Sequence, residues 1–218
     1  MFRKSIKQYQ ELLLIKENRT SLIMGFIFFA VALVVQRVAD SYVVGIKGTA
    51  VSDLISDRLP VVDMDSFMIM SALILTGITL FLVFTKPKFV SFGLKSLSLF
   101  IITRAFLISV THLGAHPDQL VFDPNSFGYA IYNILYNSTN DFFFSAHTGA
   151  PFLGALILWP EKIWRYFYII ASVIFGASVL LAHIHYSIDV FAAPLIAHSI
   201  FIISKDLFKK DYRLSRER

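Results

Sequence analysis

An all-α polytopic membrane protein, a bundle of six transmembrane helices with an N-terminal interfacial helix, is the fold that this sequence predicts. Three observations lead there. Of the 218 residues, 56% are hydrophobic and only 16% charged, whereas a soluble domain of this size carries about 25% charged residues. The apolar residues gather into six runs of membrane-spanning length. The basic residues collect in alternate connections between those runs.

Residues 1–20 are polar and basic, with Leu12, Leu13, Leu14 and Ile15 near their end. They are expected to form a helix lying on the membrane surface. The first apolar run covers about 21–39. Ala30 and Ala32 offer a weak cleavage-like pair, but the run continues through Leu33, Val34 and Val35, so an uncleaved span is expected. The remaining runs cover 66–85, 89–113, 142–159, 164–182 and 186–204, each roughly long enough for the ~30 Å of hydrocarbon. The two long connections are 40–65 and 114–141. With no internal repeat, the chain divides into a cytoplasmic amphipathic segment (1–20), one six-span domain (21–204) and a basic tail (205–218).

The net charge of +5 does not indicate nucleic acid, because the cations sit at the chain ends and in short connections. Sixteen Lys and Arg fall on one side of the six-span layout, within 3–19, 86–95, 162–165 and 205–218. Arg37, Lys47 and Arg58 fall on the other. That bias puts both termini in the cytoplasm and the other face toward the extracytoplasmic or lumenal side. The absence of cysteine excludes disulfides, thiolate metal sites and cysteine nucleophiles.

With this topology, His112, His116, His147, His183 and His185 all fall near the outer ends of spans three to six, while His198 lies deeper. Ionisable groups meeting at one membrane face favour a shared site over isolated packing residues. His185 and Asp189 are four apart, which on a helix places them on one face. A carboxylate there holds an imidazole in one tautomer and stabilises its cation, as a nucleophilic or general-base histidine requires. A structural ion pair is the plainer alternative for these two residues alone.

His147 stands at the outer end of the fourth run, where Asn140 or Asp141 could cap the helix and leave its positive end facing the site. A second histidine so placed could protonate a departing oxygen. Arg104, inside the third run, lies too deep for a loop charge. Facing inward, it would bind phosphate; the alternative is snorkelling to the interface. Two other functions fit some of these residues: a histidine/aspartate proton relay in a transporter, and a metal site of His112, His116 and His183. Gly114 interrupts the helix that would align the first two of those histidines, and no metal is expected.

The segments Asn140-Asp141-Phe142-Phe143-Phe144-Ser145-Ala146-His147-Thr148 and Leu181-Ala182-His183-Ile184-His185-Tyr186-Ser187-Ile188-Asp189-Val190 resemble two motifs of the sphingomyelin synthase-like branch of the phosphatidic acid phosphatase type 2 (PAP2) superfamily. Arg104 through Val110-Thr111-His112-Leu113 is similar to the arginine-bearing segment of that branch. The resemblance covers about residues 100–205. It implies a lipid phosphatase or phospho-headgroup transferase with a histidine nucleophile at His185, its orienting carboxylate at Asp189 and a proton-transferring histidine at His147. It further implies a phosphohistidine-type intermediate with no metal or other cofactor. Substrate binding is expected of Arg104, Asp141, Ser145, Thr148, His183 and Tyr186. The expected partners are a membrane phospholipid or lipid phosphate and a lipid-alcohol acceptor, with no nucleic acid.

The sequence departs from that pattern at three places. Ala146 replaces a glycine where backbone approaches phosphate. The superfamily's wider Lys-x6-Arg-Pro motif is absent, and Val179 stands where other members carry an arginine. Gly114 stands where a proline is expected. The 114–141 loop contains Asp118, Asp123 and Asp141 and no Lys or Arg, which favours a zwitterionic, amine-bearing headgroup over a bare phosphate.

Overall fold

The computed structural model describes residues 2–46, 48–136 and 143–217. Helix α1 (Phe2–Leu14) precedes α2 (Lys16–Val44), α3 (Asp65–Thr85) and α4 (Pro87–Val110). A short α5 (Tyr129–Tyr136) lies in the long loop. The C-terminal half holds α6 (Ala146–Ile157), α7 (Lys162–Leu181), α8 (Ser187–Leu207) and α9 (Lys209–Arg216). The all-helical expectation holds among the described residues.

Five helices, α2, α3, α4, α7 and α8, are long and apolar enough to cross a membrane. Their outward faces expose large apolar side chains such as Phe84, Phe106, Ile163 and Leu195, the surface expected of a multi-pass chain solvated by lipid. α2 packs along α4, and α6 packs against α7 and α8. The core lies between them, around Phe92, Phe100, Phe144, Leu153, Ala193 and Ala197.

The fourth expected span differs. α6 has only 12 residues, about 18 Å of helix, and cannot cross ~30 Å unaided. Its far end nevertheless reaches the end of the bundle where α3 and α4 join: Glu161, just past it, pairs with Lys86 at 2.7 Å. Its near end begins inside the bundle, because the Thr148 carbonyl accepts from the Ser172 hydroxyl at 2.7 Å. Ser172 lies midway along α7. The hydropathy of 142–159 reports a buried segment, and it cannot distinguish a full-length span from a shorter helix.

Two basic-side features also differ from a simple loop picture. Lys95 belongs to α4 and is buried, with Nζ 2.6 Å from Asp211 Oδ2 and 2.5 Å from Ser21 Oγ. The Asp211 carboxylate also accepts from Ser21 and Ser91. Part of the C-terminal tail therefore folds onto the bundle as α9, and Arg216 donates to the Leu156 carbonyl at 3.1 Å. α1 is held to the end of α3 by the Ser5 and Tyr9 hydroxyls, which donate to the Thr85 and Val83 carbonyls.

Candidate active site

The turn between α7 and α8 is built by backbone bonds closing onto the last turn of α7. The amides of His183 and Ile184 donate to the carbonyls of Leu180 and Val179 at 3.1 and 2.9 Å. His183 takes a left-handed conformation, φ 52°, uncommon for a residue with a Cβ. That reversal sends the chain into α8, whose N-cap is Tyr186.

His185 and Asp189 meet, but not as neighbours on a helix. His185 precedes the cap, and Asp189 occupies the third position of α8, where its Oδ2 accepts the Tyr186 amide at 3.1 Å. The same oxygen lies 3.3 Å from His185 Nδ1. A capping turn brings the two together where sequence spacing suggested a helical face. Asp189 is fully buried, and its Oδ1 has no hydrogen-bond partner among the described residues.

His147 lies on the first turn of α6. Ser145 is the N-cap, and its Oγ accepts the Thr148 amide at 3.4 Å. Asn140 and Asp141, the caps suggested by sequence, lie outside the described residues, as does any role of Asp141 in binding. The Ser145 amide donates to the Asp189 carbonyl at 3.1 Å, locking the start of α6 to the start of α8. The His147 and His185 rings stand 6.5 Å apart, so both can reach a single phosphoryl group. Tyr132, on α5, is 3.2 Å from His147 Nε2 through its hydroxyl, and Tyr136 stacks on the same ring at 5.9 Å. These tyrosines were missed in the sequence, although Tyr129, Tyr132 and Tyr136 carry helical spacing within a stretch assigned to loop.

Arg104 is buried and turned inward, with Nε donating to the Phe144 carbonyl at 3.2 Å beside the entry to α6. Snorkelling is excluded by that placement. Thr148 and Ser145 are buried and bonded to one another. Tyr186 directs its hydroxyl to the Gly114 carbonyl at 3.0 Å and receives the Val51 amide at 3.3 Å, so it ties two loops to the site. The loop of α2 and α3 contributes Asp53, which accepts the Ser187 amide at 2.6 Å.

Val179 is fully buried among apolar neighbours. An arginine there would lack solvent, and Arg104 is the guanidinium placed beside the entry to α6. Gly114 donates its amide to the Thr49 carbonyl at 2.9 Å, a bond that proline could not make. A Cβ on Gly114 would meet backbone atoms of Ala50 and Gly48 at 2.7 Å. His112 leaves this region, exposed against Tyr42, and His198 is exposed on α8. His116 and His183 instead face each other.

Residues 138–206, about a third of the chain, match the family model described as PAP2 superfamily C-terminal. The match includes α6, α7 and most of α8, and so contains His147, His185 and Asp189. It supports the PAP2 superfamily and a phosphatase-type enzyme in general. No curated protein matches the chain, and no solved structure does.

Proposed function

We propose that this protein is an integral membrane lipid phosphatase or phospho-headgroup transferase of the sphingomyelin synthase-like kind, working at the extracytoplasmic face. The observation that carries the proposal is the junction of two helix starts. His185, held by Asp189, and His147, on the first turn of α6, stand with ring centroids 6.5 Å apart at the positive end of α6.

With Nδ1–H donating a hydrogen bond to the Asp189 carboxylate, neutral His185 has a lone pair on Nε2 for attack on phosphorus. The P–N bond forms as the P–O bond to the leaving alcohol breaks, and His147 supplies the proton that the departing oxygen takes up. In the second half, His147 removes a proton from water or a lipid hydroxyl, whose oxygen displaces His185 from phosphorus. Arg104 and the positive end of α6 would stabilise the charge spreading over the phosphoryl oxygens. This chemistry routes no step through a metal ion.

Purified protein in detergent, given a short-chain phospholipid or lipid phosphate, should release phosphate or phospho-headgroup in the presence of EDTA and lose that activity with vanadate. Absence of turnover on all such lipids, with proton-coupled uptake in vesicles instead, would replace this proposal by a transporter. A reporter fused after Arg218 should be cytoplasmic, and a tag within 118–135 should be reached from outside; reversed labelling would overturn the sidedness.

A further inference from the structure

A second cluster of ligand-type side chains lies beside the turn before His185 and takes no part in the proposed phosphoryl transfer. His116 stands in the loop after α4, and its Nδ1 lies 3.2 Å from Nδ1 of His183. The two rings are nearly perpendicular, 75°, with centroids 4.4 Å apart. Asp118 completes the group: one ligand atom from each of His116, Asp118 and His183 lies within 4.8 Å of the others. Both histidines are more than nine-tenths buried, and Nε2 of His183 has no hydrogen-bond partner among the described residues.

Two imidazole nitrogens this close share either a proton or a cation. Ligand nitrogens ~2.0–2.1 Å from a tetrahedral ion stand about 3.3 Å apart, close to the observed 3.2 Å. The outer contacts of His116 also fit an ion. Its Nε2 lies 3.1 Å from Asp57 Oδ1. With Nε2–H donating to that carboxylate, Nδ1 of His116 presents its lone pair, the outer-sphere arrangement typical of metal-binding histidine. The Asp118 amide points at that lone pair from 3.2 Å, a contact the ion would displace.

The backbone holds the three ligands together independently of any hydrogen bond between the rings. The Leu120 amide donates to the Ala182 carbonyl at 3.0 Å, fixing the Asp118 segment of the loop against the turn. The left-handed backbone at His183 is the kind of local strain that persists where a side chain must be aimed.

We propose that His116, His183 and Asp118 bind one divalent transition-metal ion of the Zn2+ type, clamping the long loop to the turn that carries the nucleophile. Two nitrogens and one carboxylate suit Zn2+ and disfavour Ca2+ and Mg2+, which take oxygen ligands. The site is structural and stands apart from His147, His185 and Asp189; backbone bonds hold the turn without the ion, so chelation lowers the melting temperature and leaves turnover in place below it, and the site does not depend on the phosphotransfer proposal.

The test uses full-length protein purified with a tag free of histidine, stripped with chelator, and titrated with Zn2+ and with Co2+. The wild type should take up one ion per chain, give the visible absorption of four-coordinate Co2+ and melt at a higher temperature when loaded. His116→Gln and Asp118→Asn should each weaken uptake at least about tenfold, while His112→Gln should bind as the wild type does. These two ligand variants keep the test decisive should His183→Gln fail to fold. No uptake by the wild type at 100 μM metal, or equal uptake by His116→Gln and Asp118→Asn, overturns the site whether or not the protein hydrolyses lipids.

Discussion

The amide of Ser187 donates to Asp53 Oδ2 across 2.6 Å, tying the loop after the first span to the first turn of the helix that carries Asp189. Burial pushes the Asp53 carboxyl up, but amides of Ser56, Ser187 and Ile55 outweigh it and hold the group below its ordinary 3.8. A depressed carboxyl stabilises the fold fully above its unfolded value, and that contribution is lost as pH falls through the folded value. The wild type should therefore lose thermal stability on acidification below about pH 4. Asp53→Asn should melt lower than the wild type at neutral pH and show a shallower dependence in that acid range. Equal slopes in a melting series would remove Asp53 from this role.

The two histidines should fail differently. Without His185 no covalent bond to phosphorus forms with any substrate, so His185→Ala should trap no phosphate. Without His147 only the proton donor is lost. A nitrophenyl ester, whose leaving group needs no proton, should still label His147→Ala, while lipid substrates slow by about 10²–10⁴. Asp189→Asn should retain the helix cap yet slow turnover by about 10³–10⁴, because the imidazole loses its oriented charge. Covalent trapping by His185→Ala, measured by acid quench and gel, would end this assignment.

Gly114→Ala places a methyl 2.7 Å from the backbone of Ala50 and Gly48, where nothing flexible can yield. The loops should separate at a cost of about 1–3 kcal/mol, releasing Tyr186 from the Gly114 carbonyl. Gly77→Ala is the control: its Cβ meets nothing within 4 Å, and the helix should gain about 0.5–1 kcal/mol. Thermal melts of the two variants in one detergent compare them directly.

On the opposite face, Asp211→Ala should strand the buried Lys95 charge and cost about 3–5 kcal/mol. Replacing both, Lys95→Met with Asp211→Leu, should recover most of that loss, since the pair rather than either charge is what burial tolerates. A double variant no more stable than Asp211→Ala would mean that the pair is not coupled.

What the sequence made legible follows from which physical signal each element writes into it. The long spans were readable because every turn of α2, α3, α7 and α8 must satisfy lipid, which leaves a continuous apolar run. α6 was misjudged in length because protein and lipid select the same apolar residues, and only a contact such as Ser172 to Thr148 reveals where it starts. His147, His185 and Asp189 stood out because ionisable groups are rare in such surroundings. Tyr132, Asp53 and Asp57 did not, because an isolated polar residue in a loop looks the same whether it faces water or a partner far away in the chain. Lys95 counted as a loop cation, since its partner Asp211 lies 116 residues away.

The burial around the start of α6 has a further effect. Arg104, Ser145, His185 and Asp189 are all buried, so under the proposed mechanism a phosphate between His147 and His185 would shed part of its hydration. In the Born limit that loss grows with the square of the charge, so a dianion is penalised roughly four times as heavily as a monoanion. One guanidinium and one helix end do little to offset a second charge. Under that mechanism a diester, which carries a single negative charge, should reach the histidines at lower cost than a monoester at neutral pH, whatever the headgroup.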